Sequence, residues 1–240
     1  MNEAISRRVS FNYFLSDYNG LFYFRLPTGI LDEQILDAVD RWGGSLEKYG
    51  LQISTGRVVP FRAKPLLREL PQKENGVVPL LWMQNVKPYQ VEFPLDHFNK
   101  PQALLANDPS LLVPCSNYVL LRRFSAKEDR RRLVAAPFLG EQFEYAQIGF
   151  ENHLNVISKK KGAFLKYETM GMVAILNSAI MDRYVRIVNG NTQINAAEIR
   201  TLPLPPLEVI TEIGKKIEDI SHPTAEQIDR IIFSTLWHEN

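Results

Sequence analysis

The chain has 240 residues, 45% hydrophobic and 10% aromatic, which is enough for a core and too apolar for a disordered protein. No apolar run approaches the roughly 18 residues of a membrane span; the N-terminus lacks a secretory h-region, and a single cysteine, Cys115, excludes an internal disulfide, so the expected compartment is the reducing cytoplasm. Net charge is +1 but unevenly spread: residues 205–240 hold 3 basic and 7 acidic side chains, whereas residues 115–166 hold 10 basic and 5 acidic.

Along the chain, Phe22, Phe24 and Leu26 alternate with Tyr23 and Arg25 as in a strand, and Pro27-Thr28-Gly29 breaks it. Asp32 can cap a helix carrying Ile35, Leu36 and Val39 that ends at Gly43-Gly44. Leu46 to Ile53 leads into Ser54-Thr55-Gly56, a turn that allows close backbone approach. Residues 77–124 read as short strands (77–83, 91–95, 118–124) kept to edges, starts or bends by their prolines. The polar SAKEDRRR segment after Phe124 makes 117–138 a long hairpin, and 150–157 is a further strand. Met172, Val173, Ile175, Leu176, Ala179, Ile180, Tyr184 and Ile187 recur at helical spacing, predicting one helix over 168–188 that stops at Asn189-Gly190. After TLPLPPL, Ile210, Ile213, Ile217 and Ile220, then Ile228, Ile231, Ile232 and Leu236, predict two amphipathic helices divided at His222-Pro223. The fold class is α+β: a mixed, mostly antiparallel sheet, one long packed helix and a C-terminal helical segment.

Few enzymatic signatures survive a search. The sequence has no GxGxxG, no GxxxxGK[ST], no HExxH and no GxSxG, and its four histidines (97, 153, 222, 238) are scattered. Asp96, Asp108, Glu141 and Glu144 supply a nuclease-type Mg²⁺ site only if folding gathers them. Recognition is better represented. Arg122, Arg123, Lys127, Arg130, Arg131 and Arg132 cluster around the hairpin tip, and arginine forks suit phosphates and the guanine edge. A solvated charged turn, partly neutralised by Glu128 and Asp129, is the competing reading. Asn189, Asn191, Gln193 and Asn195 form a second polar group; amides can read adenine, but a helix C-cap explains Asn189-Gly190 as well.

The blocks STGRVVPFRA (54–63), VPLLWMQNV (78–86), NYVLLRRFSAKEDRRRLVAAPF (117–138), ENHLNVI (151–157) and AILNSAIMDRYVRIVNGNTQINAAEIRTLPLP (174–205) resemble, in this order, one family. It is the C-terminal target-recognition region of type II restriction–modification adenine methyltransferases of the TaqI-like and PstI-like group. The stretch from Asn177 to Leu207 is also similar to the target-recognition domains of type I restriction specificity subunits. The catalytic half of such enzymes, with its S-adenosylmethionine loop and Asn-Pro-Pro-Tyr/Phe tetrad, has no counterpart; the only Pro-Pro is Pro205-Pro206.

The resemblance implies a division into a connecting segment from a missing catalytic domain (1–44), a DNA target-recognition domain (45–206) and C-terminal helices (207–240). The partners it implies are double-stranded DNA and a catalytic methyltransferase domain or subunit. S-adenosylmethionine would bind that other part, and this chain by itself would need no cofactor. The residues expected at DNA are Arg57, Arg62, Gln84, Asn85, Arg122, Arg123, Lys127, Arg130, Asn191 and Gln193. Two alternatives remain open: a restriction endonuclease with a cryptic Mg²⁺ site, and a module whose C-terminal helices dock a methyltransferase subunit.

Overall fold

The computed structural model describes residues 10–18, 21–70, 76–125, 130–188, 196–218, 220 and 224–237. In chain order it contains α1 (Phe11–Phe14), β1 (Leu15–Tyr18), β2 (Leu21–Phe24), α2 (Ile30–Asp40), β3 (Leu51–Thr55), β4 (Leu67–Arg68), β5 (Val77–Leu81), β6 (Val86–Lys87) and β7 (Gln90–Val91). There follow β8 (Ala103–Leu105), β9 (Leu112–Pro114), β10 (Tyr118–Arg122), β11 (Ala135–Phe138), β12 (Gln147–Phe150) and β13 (Leu154–Lys159). The helices α3 (Lys166–Asn177), α4 (Ala179–Val188), α5 (Ala196–Arg200), α6 (Leu207–Glu218) and α7 (Ala225–Trp237) close the chain.

The first sheet, in order β11-β10-β13-β3, is antiparallel throughout. β10 reads Tyr-Val-Leu-Leu because it is buried on both faces. Val119 and Leu121 join Ile53 and Ile157 against the helices, while Tyr118 and Leu120 join Ala136, Phe138 and Val156 on the opposite face. That opposite face packs on the second sheet, β4-β8-β5-β12-β9, in which only β5 and β12 run parallel among the described strands. Beyond it lies a third cluster around Val58, Leu80, Trp82 and Leu104. The helical core draws on residues from Leu36 to Ile232, so α2, the sheet and the C-terminal helices share one interior. The α+β reading, with mostly antiparallel strands, therefore holds.

The hairpin over 117–138 is present, with Tyr118 opposite Phe138 and Leu121 opposite Ala135. The helix expected over 168–188 is instead two. Ser178 leaves the helical conformation (φ −65°, ψ 154°), donating its hydroxyl to the Ile175 carbonyl and accepting from Met181 N–H, so it ends α3 and caps α4. α3 packs against β10 and β11 and against α6. The α3–α6 crossing is tight enough that a Cβ on Gly171 would lie 1.8 Å from the Ile210 carbonyl oxygen, and one on Gly214 2.0 Å from that of Tyr167. Asp32 lies within α2 rather than before it, and its carboxylate accepts from the N–H and hydroxyl of Thr28 and from Arg183 on α4.

Candidate nucleic-acid interface

Three loops distant in sequence converge where the two sheets meet. The segment after β3 is held to the turn between β12 and β13 by bonds from Val58 N–H to the Phe150 carbonyl and from Asn152 N–H to the Val58 carbonyl, each 2.9 Å. The close backbone approach expected at Gly56 is to this turn: a Cβ there would stand 2.2 Å from the Glu151 carbonyl oxygen. The hairpin joins from the other side, Arg123 N–H donating to the His153 carbonyl at 2.9 Å. Arg57, Arg62 and Arg123 thus belong to adjoining loops. Phe61, between Pro60 and Arg62, is 90% exposed.

Beside Arg57 opens a cleft of about 420 Å³ along the outer strand β3. Its wall carries the cross-strand pair Gln52 and Ser158, joined at 3.2 Å, together with Ser54, Thr55, Ser116 and Asn117. Among the described residues its charged lining is Arg57 and Lys159, and exposed Lys160 and Lys161 continue from one end. Lys159 is committed to Glu168 at 2.7 Å, whereas Arg57 spends one N–H on the Leu112 carbonyl at 2.8 Å and remains exposed. Polar hydroxyls and amides along a strand edge, with cations at its margin, suit a phosphodiester backbone and its bases. Burial pushes the Cys115 thiol up, which disfavours its thiolate.

The turn after β12 contains a second group. Glu151 is 1% exposed and its carboxylate lies 2.5 Å from Nδ1 of His153, whose own side chain is 47% exposed. Burial raises the Glu151 carboxyl above its ordinary range, opposed by His153 and by the Lys100 charge. Lys100 itself sits 4.7 Å from the centre of the Trp82 ring, and Phe124 meets His153 edge-on at 5.1 Å.

The residues expected at DNA divide sharply. Arg57, Arg62 and Arg130 are exposed, Gln84 is half-buried, and Arg123 is half-buried with Nη1 3.5 Å from the Asn152 carbonyl. Asn85 is a correction: it is fully buried, accepting from Trp82 N–H at 2.6 Å and donating to the Glu92 carbonyl at 2.7 Å, so it organises the turn after β5 and cannot reach a ligand. Arg122 donates Nε to the Val86 carbonyl at 2.7 Å, a tie between β10 and β6. In the same cluster Arg132 is 2% exposed on the Ser125 carbonyl, and Arg131 donates to the Asn177 carbonyl. Lys127, Asn191 and Gln193 lie outside the described residues. Asp96, Asp108, Glu141 and Glu144 are not gathered: among the described residues no three potential metal ligands cluster. Sequence reasoning missed Gln52, Ser54, Ser158 and Phe61; for the first two the signal was the in–out alternation of β3.

No family model matches the chain. Two curated proteins described as type II methyltransferases do. M.BsuBI of Bacillus subtilis is 39% identical over 188 residues, covering 77% of this chain and 37% of that protein. M.PstI of Providencia stuartii is 32% identical over 212 residues, covering 86% of this chain and 41% of that protein. The chain thus spans about two-fifths of the length of the curated relatives it matches, and its homologues are type II methyltransferases. Among solved structures, one from work on complex assembly and conformational transition of the type I R-M system matches with a TM-score of 0.35 at 9% identity, over 86% of this chain and 46% of that one. The HsdS subunit from Thermoanaerobacter tengcongensis matches with a TM-score of 0.34 at 10% identity, over 86% and 50% respectively. No helix among the described residues is long and apolar enough to cross a membrane.

Proposed function

We propose that this chain is the target-recognition part of a site-specific DNA methyltransferase of a restriction–modification system, acting in the cytoplasm. It selects a short duplex sequence for methylation at N6 of adenine, while S-adenosylmethionine and the methyl-transfer step belong to a catalytic portion outside these residues. The observation that carries this reading is the 39% identity to M.BsuBI, which runs over 77% of the chain yet leaves most of that methyltransferase's length unmatched. The converging loops supply the means: Arg57 and Arg62 offer unspent guanidinium donors to phosphates, and Gln52, Ser54 and Ser158 line the cleft beside Arg57, while exposed Arg130 adds a donor beside Arg186 of α4. Phe61 stands out as an aromatic able to press against a base step.

The catalytic portion also has a surface to meet. Phe14, Phe24, Leu26, Ile30 and Leu31 are each between 40% and 68% exposed, and Phe14 and Phe24 pack edge-on at 5.4 Å. Their exposed areas sum to on the order of 500 Å². We assign this row to the contact with the catalytic portion.

Duplex DNA titrated against the purified chain at several salt concentrations tests the recognition reading. The logarithm of affinity is expected to fall with the logarithm of salt by about 0.9 per phosphate neutralised. No binding at low salt, or binding indifferent to salt, refutes it.

A further inference from the structure

The turn between β12 and β13 holds a group that core packing does not account for. A fully buried carboxylate is costly, and an apolar side chain would close the sheet at less expense. Both Glu151 oxygens are sealed from solvent, and the side chain they face is His153, with Nδ1 at 2.5 Å from Oε1. The backbone beneath is rigid: Glu151 N–H donates to the Leu81 carbonyl at 2.9 Å, Asn152 N–H to Val58, and Leu154 N–H to the Glu151 carbonyl at 3.0 Å. Phe124 fixes the ring from its edge, and Arg123 N–H donates to the His153 carbonyl. With Nδ1 committed to the carboxylate, Nε2 is the ring atom left for a partner, on a side chain that is 47% exposed. Among the described residues the charged groups around it are Glu151, Lys100 and the Arg123 guanidinium, which puts two cations beside the buried carboxylate.

We propose that His153, oriented by Glu151, is a DNA-contacting residue: as the imidazolium it donates Nδ1–H to the Glu151 carboxylate and Nε2–H to an acceptor oxygen or nitrogen of the duplex, with Arg123 and Lys100 supplying the surrounding positive field. The inference depends on the DNA-recognition reading above and adds a site to it. Glu151 is the positioning residue; His153 makes the contact. The acceptor is either a phosphate oxygen or the guanine N7/O6 edge, and the two give different signatures.

The test uses the full chain and two duplexes: one enriched by the wild-type chain from a random pool, and a scrambled version of it. His153→Ala is expected to weaken binding to the enriched duplex by about tenfold. Equal loss on both duplexes, with a salt slope shallower by about one, assigns the contact to phosphate; loss confined to the enriched duplex at unchanged slope assigns it to a base edge. Glu151→Leu should lose as much as His153→Ala, the double variant no more than either alone, and Glu151→Gln, which keeps an acceptor for Nδ1–H but removes the charge that favours the imidazolium, should fall between wild type and His153→Ala. Thermal melts accompany each variant. Because His153 lies at the surface, its alanine variant tests the contact even where Glu151→Leu fails to fold. Affinity of His153→Ala within twofold of wild type on both duplexes overturns the proposal, as do losses that simply add in the double variant. Failure of the wild-type chain to bind any duplex at low salt refutes the recognition reading, and that result is read before any variant is made.

Discussion

Replacing Gly171 by alanine at the α3–α6 crossing sets two effects of known sign against each other. Alanine in a helix interior is favoured over glycine by about 1 kcal/mol, so an unconstrained site would gain stability. Here the new Cβ would lie 1.8 Å from the Ile210 carbonyl oxygen, 2.7 Å from its carbon and 3.1 Å from Gly214 N. Ordinary carbon–oxygen contact needs somewhat more than 3 Å, so the two backbones must part by about 1.5 Å. Both are regular helices and neither atom is the end of a flexible side chain, so the whole seam opens. Met172, Ile175, Ile210 and Ile213, all at 0% exposure, lie beside it. A radial gap of even 0.5–1 Å forfeits roughly a quarter to a half of each contact, and overpacking of this kind costs about 1–3 kcal/mol, occasionally more. With two rigid backbones forced apart the cost lies at the upper end, about 3 kcal/mol, and the clash wins by about 2 kcal/mol. In a domain of this size that lowers Tm by roughly 4–8 °C, measurable by urea titration at constant m-value and by thermal melts. Gly43→Ala is the control, since nothing stands within 4 Å of a Cβ there and its φ is unremarkable. A Gly171→Ala protein as stable as the parent would show that α3 and α6 do not touch backbone to backbone.

Asn177, 1% exposed, bonds both the N–H and the carbonyl of Ala135 (3.0 and 2.8 Å) and the Val173 carbonyl (2.9 Å); Asn177→Ala should cost about 2–4 kcal/mol by chemical denaturation, and a loss below 1 kcal/mol contradicts the role. Burial pushes the Asp32 carboxyl up, but Arg183 and Thr28 outweigh it and leave it below the usual range. Its contribution is accordingly full above the ordinary carboxylate pKa of about 3.9 and disappears as pH falls through the lowered value, so Asp32→Asn should flatten the acid side of the stability–pH curve. Arg122→Ala should lower stability through loss of its bond to Val86, whereas Arg62→Ala should leave Tm unchanged and weaken DNA binding; the opposite pattern contradicts the division drawn above. Leu26→Asp combined with Ile30→Asp should leave the fold intact while abolishing capture of the unmatched portion of M.BsuBI co-expressed as a separate chain.

How much was legible in the sequence depended on whether a residue's fate is local. The hairpin over 117–138 followed from apolar runs flanking a polar tip, and α6 and α7 from isoleucines at helical spacing. The break at Ser178 was not legible, because Ala179, Ile180 and Tyr184 continue the apolar phase across it; a serine hydroxyl competing for backbone partners leaves no periodic trace. The strands β8 and β9 escaped because each is three residues long and shaped by its neighbours. The cleft was invisible for a different reason: Gln52 and Ser158 are 106 residues apart and meet only through the pairing of β3 with β13.

The arginines show why a cluster of charge in a sequence is a poor locator of an interface. A guanidinium carries five donors in a rigid fork and a long apolar stem, so it serves equally well to satisfy carbonyls in a crowded turn. Between 122 and 132 that is largely what happens: Arg122, Arg131 and Arg132 reach Val86, Asn177 and Ser125, and the hairpin is pinned to β6 and α3. Such residues hold the loops in place and have little left to give a phosphate. The donors still available belong to Arg57, Arg62 and Arg130, whose side chains are exposed, and the first two come from a different loop altogether. A surface able to discriminate one duplex from another needs both kinds. Unspent donors on mobile backbone would bind any polyanion; on the recognition reading proposed here, the pinned arginines, with the Glu151–His153 pair, would fix the spacing of the free ones.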